Sequence, residues 1–413
     1  MYRSCGRNLR RYLPMRGLGV ALLVAAALVT APRAQSRMIV DAPGAWKPWK
    51  FTAIPSARRE RSATAAEVKA FEGQLLALNA ILQRASGVAT PRGFSVETWG
   101  SLAGYSAPAP GQPNGTAIPL AGALDFGAFP IFEYERGGKT IREDTGETAL
   151  LLFHVNDLSA GMIAGDRVPD WIGADAEAYM QPPAHGEIAG FPRYGDLLVI
   201  TKHPKSIWAP VSMEQAIGNL VAAHRKDLDD SREAVDRFRV SLADSRNPAK
   251  RAERLSGYKE VAALQPNPAK FLAEMDEVQK QVEADIEKEL APGGGGVMTT
   301  ALGHERDIAD ASAWLTELSP GDRATPACYA KAGALPRQRF RSTPDAGCVP
   351  LVQPNWAFFD TSLPRSAPQV LVIPQVSRCF DNQPANPPTP AGCPTNRQLI
   401  LTMDRQAVLD WLK

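Results

Sequence analysis

Apolar residues first fall into a regular rhythm at Val68, Phe71, Leu75, Leu78 and Leu82, three or four positions apart. A single stripe on that period predicts an amphipathic helix lying on a core. Thr64 and Glu67 supply a capping box at its start, and Gly87 a C-terminal stop, so the helix is expected over Thr64–Ser86. Beyond residue 92 the period shortens to two. Phe94, Val96 and Thr98 alternate with polar neighbours, as one face of a strand does. Ile131–Glu135 and Thr140–Arg142 flank Arg136-Gly137-Gly138-Lys139, a hairpin turn in which glycine tolerates positive φ. Thr148–Val155 and Asp196–Lys202 read as buried strands, with Ile207-Trp208 extended after them. At least five mainly antiparallel strands are expected between about 92 and 210, interrupted by the Pro/Gly-rich stretch Ala107–Gly115.

From Ser212 the pattern changes again. Ser212 and Gln215 form a second capping box. Ile217, Val221, His224, Leu228, Ser231, Val235, Phe238 and Leu242 then follow at alternating steps of four and three, a heptad seam. Pro248 breaks it, and a second helix is expected from Ala249 to Leu264. Pro266 and Pro268 break the pattern again before a third helix, whose stripe is Phe271, Met275, Val278, Val282, Ile286 and Leu290. The remaining faces are densely charged. Gly293–Gly296 reads as a linker rather than a phosphate loop, because no helix opening with Lys-Ser/Thr follows. A short helix is expected over Asp307–Leu318, buried strands at Gln369–Ile373 and Gln398–Met403, and a terminal helix from Asp404 to Leu412. The order strand-then-helix occurs both here and at Asp196–Ser212, which leaves a distant internal repeat open.

The resulting fold class is α+β. A mainly antiparallel sheet carries an inserted, charged helical hairpin or coiled-coil arm and a disulfide-containing C-terminal β region. The expected divisions are a signal peptide at 1–34, a loosely ordered segment at 35–62 anchored by Trp46 and Trp49, and a helix plus antiparallel β region at 63–210. The arm follows at 211–292, a Gly-rich linker at 293–306 and a C-terminal α/β region with two disulfide loops at 307–413.

The N-terminus alters the charge argument. Arg3, Arg7, Arg10, Arg11 and Arg16 precede the uncharged run Gly17–Ala31. About fifteen apolar residues suit a cleavable export signal better than a spanning helix, which needs about twenty. Ala34 is the expected last residue removed, although Pro32 fits the cleavage rule poorly. An uncleaved anchor, a start at Met15 and twin-arginine export through Arg10-Arg11 are alternatives. Residues 1–34 hold six Arg and no acidic residue, so removing them leaves 40 basic against 44 acidic residues, a net −4. A mildly acidic chain has no electrostatic footprint for nucleic acid.

Cys5 lies in the signal. Cys328, Cys348, Cys379 and Cys393 remain, and two like-built Pro-rich segments, each ending in Ala-Gly-Cys, favour the pairs Cys328–Cys348 and Cys379–Cys393. A four-thiolate zinc site is the competing reading, but it lacks a Cys-x-x-Cys pair and suits a reducing compartment. No metal, cofactor or transmembrane span in the mature chain is expected. The expected location is periplasmic or secreted.

Few residues suggest chemistry. His154 and Asp157 sit at the end of a predicted strand, and His185 and Glu187 in a Gly/Pro-rich loop. His with carboxylate is a common acid–base or metal-ligand pairing. The plainer account is a strand-end histidine bonded to backbone and a solvated loop histidine. His224 on the heptad seam reads as a register or partner-facing residue, and His203 and His304 as turn residues. Arg337-Gln338-Arg339-Phe340-Arg341 reads as a solvated loop, Asn114-Gly-Thr as a glycosylation sequon. No His-Glu-x-x-His or Gly-x-Ser-x-Gly motif is present. The leading expectation is an exported binding or scaffold protein that meets a protein partner, or a second copy of itself, through the arm. The rival is an exported hydrolase, with or without a metal, built from His154, Asp157, His185 and Glu187.

Overall fold

A computed structural model describes residues 37–54, 63–102, 118–144, 148, 150–162, 178–330, 336–342, 347–381 and 393–413. The signal segment with its cleavage point, the Ala107–Gly115 stretch and the Asn114 sequon lie outside these residues.

Two short strands, β1 (Arg37–Met38) and β2 (Lys50–Ala53), precede helix α1 (Ala65–Gln83). The helix begins as its sequence predicts, with Thr64 and Glu67 bonded reciprocally in a capping box. Phe71, Leu75, Leu78 and Leu82 are fully buried. Strands β3 (Phe94–Leu102), β4 (Gly122–Arg136), β5 (Lys139–Asp144) and β6 (Leu150–Val155) follow. The β4–β5 hairpin turns through Gly137 and Gly138, both at positive φ (60° and 73°), the primed geometry that matches strand twist. Next come β7 (Tyr179–Met180), β8 (Ala184–Ile188), β9 (Phe191–Tyr194), β10 (Leu197–Thr201) and β11 (Trp208–Pro210). Four long helices form the arm: α2 (Met213–Arg246), α3 (Pro248–Ala262), α4 (Pro268–Leu290) and α5 (Val297–Glu317). The remainder is α6 (Pro320–Ala324), β12 (Cys328–Ala330), α7 (Pro336–Arg339), β13 (Phe340–Arg341), β14 (Cys348–Pro354), β15 (Val370–Pro374), α8 (Ser377–Phe380), α9 (Cys393–Thr402) and α10 (Arg405–Trp411).

The larger sheet has ten strands in the order β2-β3-β4-β6-β15-β10-β9-β8, with β1 and β5 also paired to the long β4. Every pair is antiparallel except β2–β3. Helices α1, α9 and α10 cover one face, where Phe71, Leu75 and Leu399 meet Leu124, Phe153, Leu371 and Ile373. Each such side chain contributes about 1.5–3 kcal/mol on burial. On the other face, Leu197, Val199, Val370 and Val372 pack against Ile207, Trp208, Phe358 and Phe359. β15 is therefore buried on both sides, which is why Val370–Ile373 is a continuous apolar run. A second sheet, β11-β14-β12-β13 with β7 on β14, holds the root of α2 through Ile217, Leu220, Tyr329, Phe340 and Leu351.

Several expectations are corrected. Gly87 is not a left-handed helix stop. Its N–H donates to Thr402 Oγ1 (3.0 Å), and a Cβ there would meet Gln398 Cγ at 2.3 Å, so a glycine is needed for close packing against α9. Gln398–Thr402 is helical, because Asn396, Leu399 and Ile400, with Met403 just past the end, form a buried stripe at helical spacing. That removes the strand-then-helix match on which an internal repeat rested. Ser212 does cap α2 by accepting from Gln215 N, but the Gln215 side chain bonds to Gln353 Oε1 (2.6 Å) instead of closing a box. The 21-residue α5 begins at Val297, within the stretch read as linker, so only the glycine turn separates it from α4. The α2 seam is buried at Ile217, Val221, His224, Leu228 and Val235. Helix α5 runs beside α2 to beyond its midpoint, at Arg232–Glu305, and α4 meets its end, at Ser245–Glu283. Two helices thus share a seam that a two-stranded coiled coil would give to one. Residues 37–54 are tied down rather than loose, with β2 on β3 and Trp46 Nε1 donating to Val88 O (3.0 Å).

Candidate functional site

The period of two along β6 sends Leu151, Phe153 and Val155 into the helix-covered core and leaves Leu152 and His154 on the opposite face. Directly after the strand, Asn156 takes a left-handed conformation (φ 55°), which asparagine tolerates better than most residues. The chain folds back there and brings Asp157 against His154, with Oδ2 3.4 Å from Nδ1. Asp157 Oδ1 accepts from the Ser159 hydroxyl and from the N–H groups of Ser159 (3.1 Å) and Ala160 (3.4 Å). Burial works against its charge, but His154 and these donors outweigh it and hold the carboxyl below the usual aspartate range.

A second carboxylate shares this face. Asp125 on β4 lies opposite Leu152 on β6 and Trp99 on β3. Burial pushes its carboxyl up, against the opposing pull of a hydrogen bond from Trp99 and the field of His154. Two carboxyl groups with opposite shifts beside one imidazole are the ingredients of proton transfer. The arrangement offers a base oriented by Asp157 and an acid at Asp125. Among the described residues, no serine or cysteine is hydrogen-bonded to His154.

His185 and Glu187 are elsewhere. They lie on β8, an exposed edge strand four ladder steps from β6, about 19 Å at ~4.8 Å per step. Glu187 faces Pro192 in the register. His185 lies near Asp381, which Arg193 grips with two hydrogen bonds (2.8 and 2.6 Å). The structure therefore brings His154 and Asp157 together and keeps His185 and Glu187 apart from them. Among the described residues, no three His, Cys, Asp or Glu side chains are placed to hold a metal ion.

The other histidines divide similarly. His224 is buried in α2 and faces α5, its Nδ1 2.9 Å from Nδ1 of His304 and its Nε2 4.0 Å from Asp307 Oδ2. His304 is thus a mid-helix residue rather than a turn residue. His203 does lie in a turn, its N–H bonded to Thr201 Oγ1 (2.9 Å). Arg337 pairs with Glu317 and Asp310, so the basic string is partly neutralised from α5.

The cysteines pair as the loops suggest. Cys328–Cys348 ties β12 to β14 (Cα separation 5.6 Å), and Cys379–Cys393 ties α8 to the start of α9 (4.9 Å). Paired cystines leave no thiolate for zinc.

No protein-family model, curated protein or solved structure matches this chain. Asp125, Trp99 and Asn156 escaped the sequence reading. A single acidic residue at an alternating position of the run Gly122–Phe129 was the one available signal for Asp125.

Proposed function

We propose that this chain is an exported binding or scaffold protein that engages a protein partner through the distal half of its helical arm, α3 and α4. The observation that carries this reading is the state of the α4 stripe. Phe271, Met275, Val278, Val282, Ile286 and Leu290 run down one side of the helix, yet only Ile286 is buried. Helix α3 buries only Ala262, and Leu264 in the following turn is 84% exposed. Helices in proteins draw most of their stability from burying an apolar face. A stripe left half-covered on an otherwise charged arm favours a surface that another chain completes. Two cystines support an oxidising compartment, the periplasm or beyond. Among the described residues, no helix is long and apolar enough to cross a membrane.

The test is a photo-crosslinking residue placed at Leu264, at Val278 or, as a control, at the exposed Lys69 of α1, in the full chain in its own compartment. Both arm positions are expected to give one discrete adduct, absent from Lys69 and lost when Val261→Asp is added. An adduct of twice the chain mass assigns self-association. No adduct from the arm, or the same adduct from Lys69, would remove the proposal.

A second reading, hydrolysis, is favoured by the His154–Asp157 pair with Asp125 beside it. It requires that His154→Gln abolish turnover of some ester, amide or glycoside while leaving the melting temperature unchanged.

A further inference from the structure

We infer that a slot in the larger sheet, between β9 and β10, binds a small carboxylate carried on a flat apolar body. The slot has a cause in the sequence. The β9–β10 hairpin turns tightly at Gly195 (φ 54°) but pairs only at Leu197↔Tyr194 and Leu198↔Arg193. The next residue of β9 is Pro192, which has no N–H to extend the ladder. From there β9 stays with β8 through Glu187↔Pro192 and Ile188↔Phe191, while β10 stays with β15 as far as Thr201↔Val370. The two strands part and leave a gap of about 360 Å³, at the small end of ligand sites. All of its lining belongs to the stretches 178–330 and 393–413, which the structure describes without a break.

The lining has a definite chemistry. Phe191, Tyr194 and Trp208 supply aromatic walls, and the Tyr194 and Trp208 rings meet edge to face at 4.7 Å. Lys205 and Arg405 supply positive charge, His203 a ring whose Nδ1 accepts from Lys205 N (3.3 Å), and no acidic residue lines the gap. Lys205 has other work. Lys205 Nζ donates to Ala357 O (2.9 Å), and both Lys205 and His203 lie near Asp360. Arg405, at the start of α10, is different. Among the described residues no carboxylate pairs with it. Its side chain lies over Gly190, where an added Cβ would come within 3.0 Å of Cδ and 3.1 Å of Nε. Gly190 has φ 78°, a conformation that favours glycine, so the turn that frees space for Arg405 also excludes a side chain there.

A guanidinium with no carboxylate partner among the described residues, lining an aromatic-walled gap, matches a planar carboxylate. The fork takes the two oxygens, and the flat body lies along Tyr194 and Trp208. A simple inorganic anion would leave the aromatic walls uncovered.

Calorimetry on the full disulfide-intact chain tests this with benzoate, benzamide and inorganic phosphate as probes. Benzoate is expected to bind. Benzamide, its uncharged counterpart, should bind about tenfold more weakly, the value of one charge-assisted contact. Arg405→Gln should cost benzoate about tenfold without moving the melting temperature, and Arg405→Lys should fall between the two. If Arg405→Gln lowers the melting temperature, the comparison of Arg405→Lys with Tyr194→Leu decides, both being expected to weaken benzoate. No benzoate binding, equal affinity for benzamide or phosphate, or full benzoate affinity in Arg405→Gln would overturn the assignment.

Discussion

Asn156 offers the sharpest test of how the fold positions its chemistry. The residue is fully buried, and its amide joins three segments. Nδ2 donates to Leu120 O (3.1 Å) and Ala367 O (2.8 Å), and Oδ1 accepts from the N–H groups of Gln369 (2.7 Å) and Val370 (3.4 Å). Asn156→Ala deletes all four bonds and leaves buried backbone groups without those partners, at about 1–3 kcal/mol for each left unsatisfied. A left-handed alanine adds about 1–2 kcal/mol. These terms share one site and relax together, so the expected loss is about 4 kcal/mol rather than their sum. That is a large fraction of a typical stability of about 5–15 kcal/mol. For a cooperative unit of about 400 residues it corresponds to a fall of about 5 °C in melting temperature. Asn156→Gly separates the two contributions. It accepts the positive φ and loses only the amide, so it should recover about 1 kcal/mol relative to alanine. Thermal and urea melts, followed by far-UV circular dichroism and tryptophan fluorescence, measure both. An alanine variant within about 1 kcal/mol of wild type would refute the hydrogen-bond argument. A glycine variant no better than alanine would refute the backbone argument.

Further predictions concern packing, covalent ties and pH. Gly87→Ala drives a Cβ into Gln398 and should destabilise by about 1–3 kcal/mol, whereas Gly73→Ala meets nothing within 4 Å in mid-helix and should stabilise by about 0.5–1 kcal/mol; paired urea melts report both signs. Replacing Cys379 and Cys393 by serine opens a loop closed across 14 positions and should cost about 3 kcal/mol in the same melts. Arg193's two hydrogen bonds, working against burial, hold Asp381 below the usual aspartate range. A lowered folded value contributes stability that is present above about pH 4 and lost as pH falls through it. Because Asp381 is partly exposed, Asp381→Asn should reduce stability at neutral pH by no more than about 1 kcal/mol and flatten the decline below pH 4. An acid titration of the melting temperature with the same slope in both proteins would count against it.

Much of the body was readable because its signals were long or doubly determined. Helix α1 had both a stripe and a cap, the β4–β5 hairpin had two glycines, and the cysteine segments resembled each other. The failures have physical reasons. Gln398–Leu401 is too short for periodicity to separate strand from helix, and the deciding residues, Cys393 and Asn396, lie upstream and are not large apolar side chains. Helix α5 was half-hidden because its buried positions are Ala301 and Ala311, whose stripe carries no bulk. The candidate site was legible only where it is local. His154 and Asp157 are three residues apart, and one turn joins them. Asp125 and Trp99 reach the same face through strand register, which the hydrophobic pattern does not encode between distant strands. Sequence spacing puts no distance between His154 and His185, whereas three strands intervene between β6 and β8.

The position of β15 has a consequence for how the molecule comes into being. Val370–Pro374 sits between β6 and β10, so the middle of the sheet is supplied by nearly the last tenth of the chain. Until that segment arrives, β6 and β10 expose the edges it will join, and the two halves of the sheet have no ladder between them. Such late, long-range closure makes folding slow and keeps the growing polypeptide from settling early. Refolding from denaturant should therefore be paced by the arrival of Val370–Pro374, the one strand that hydrogen-bonds to both β6 and β10 among the described residues.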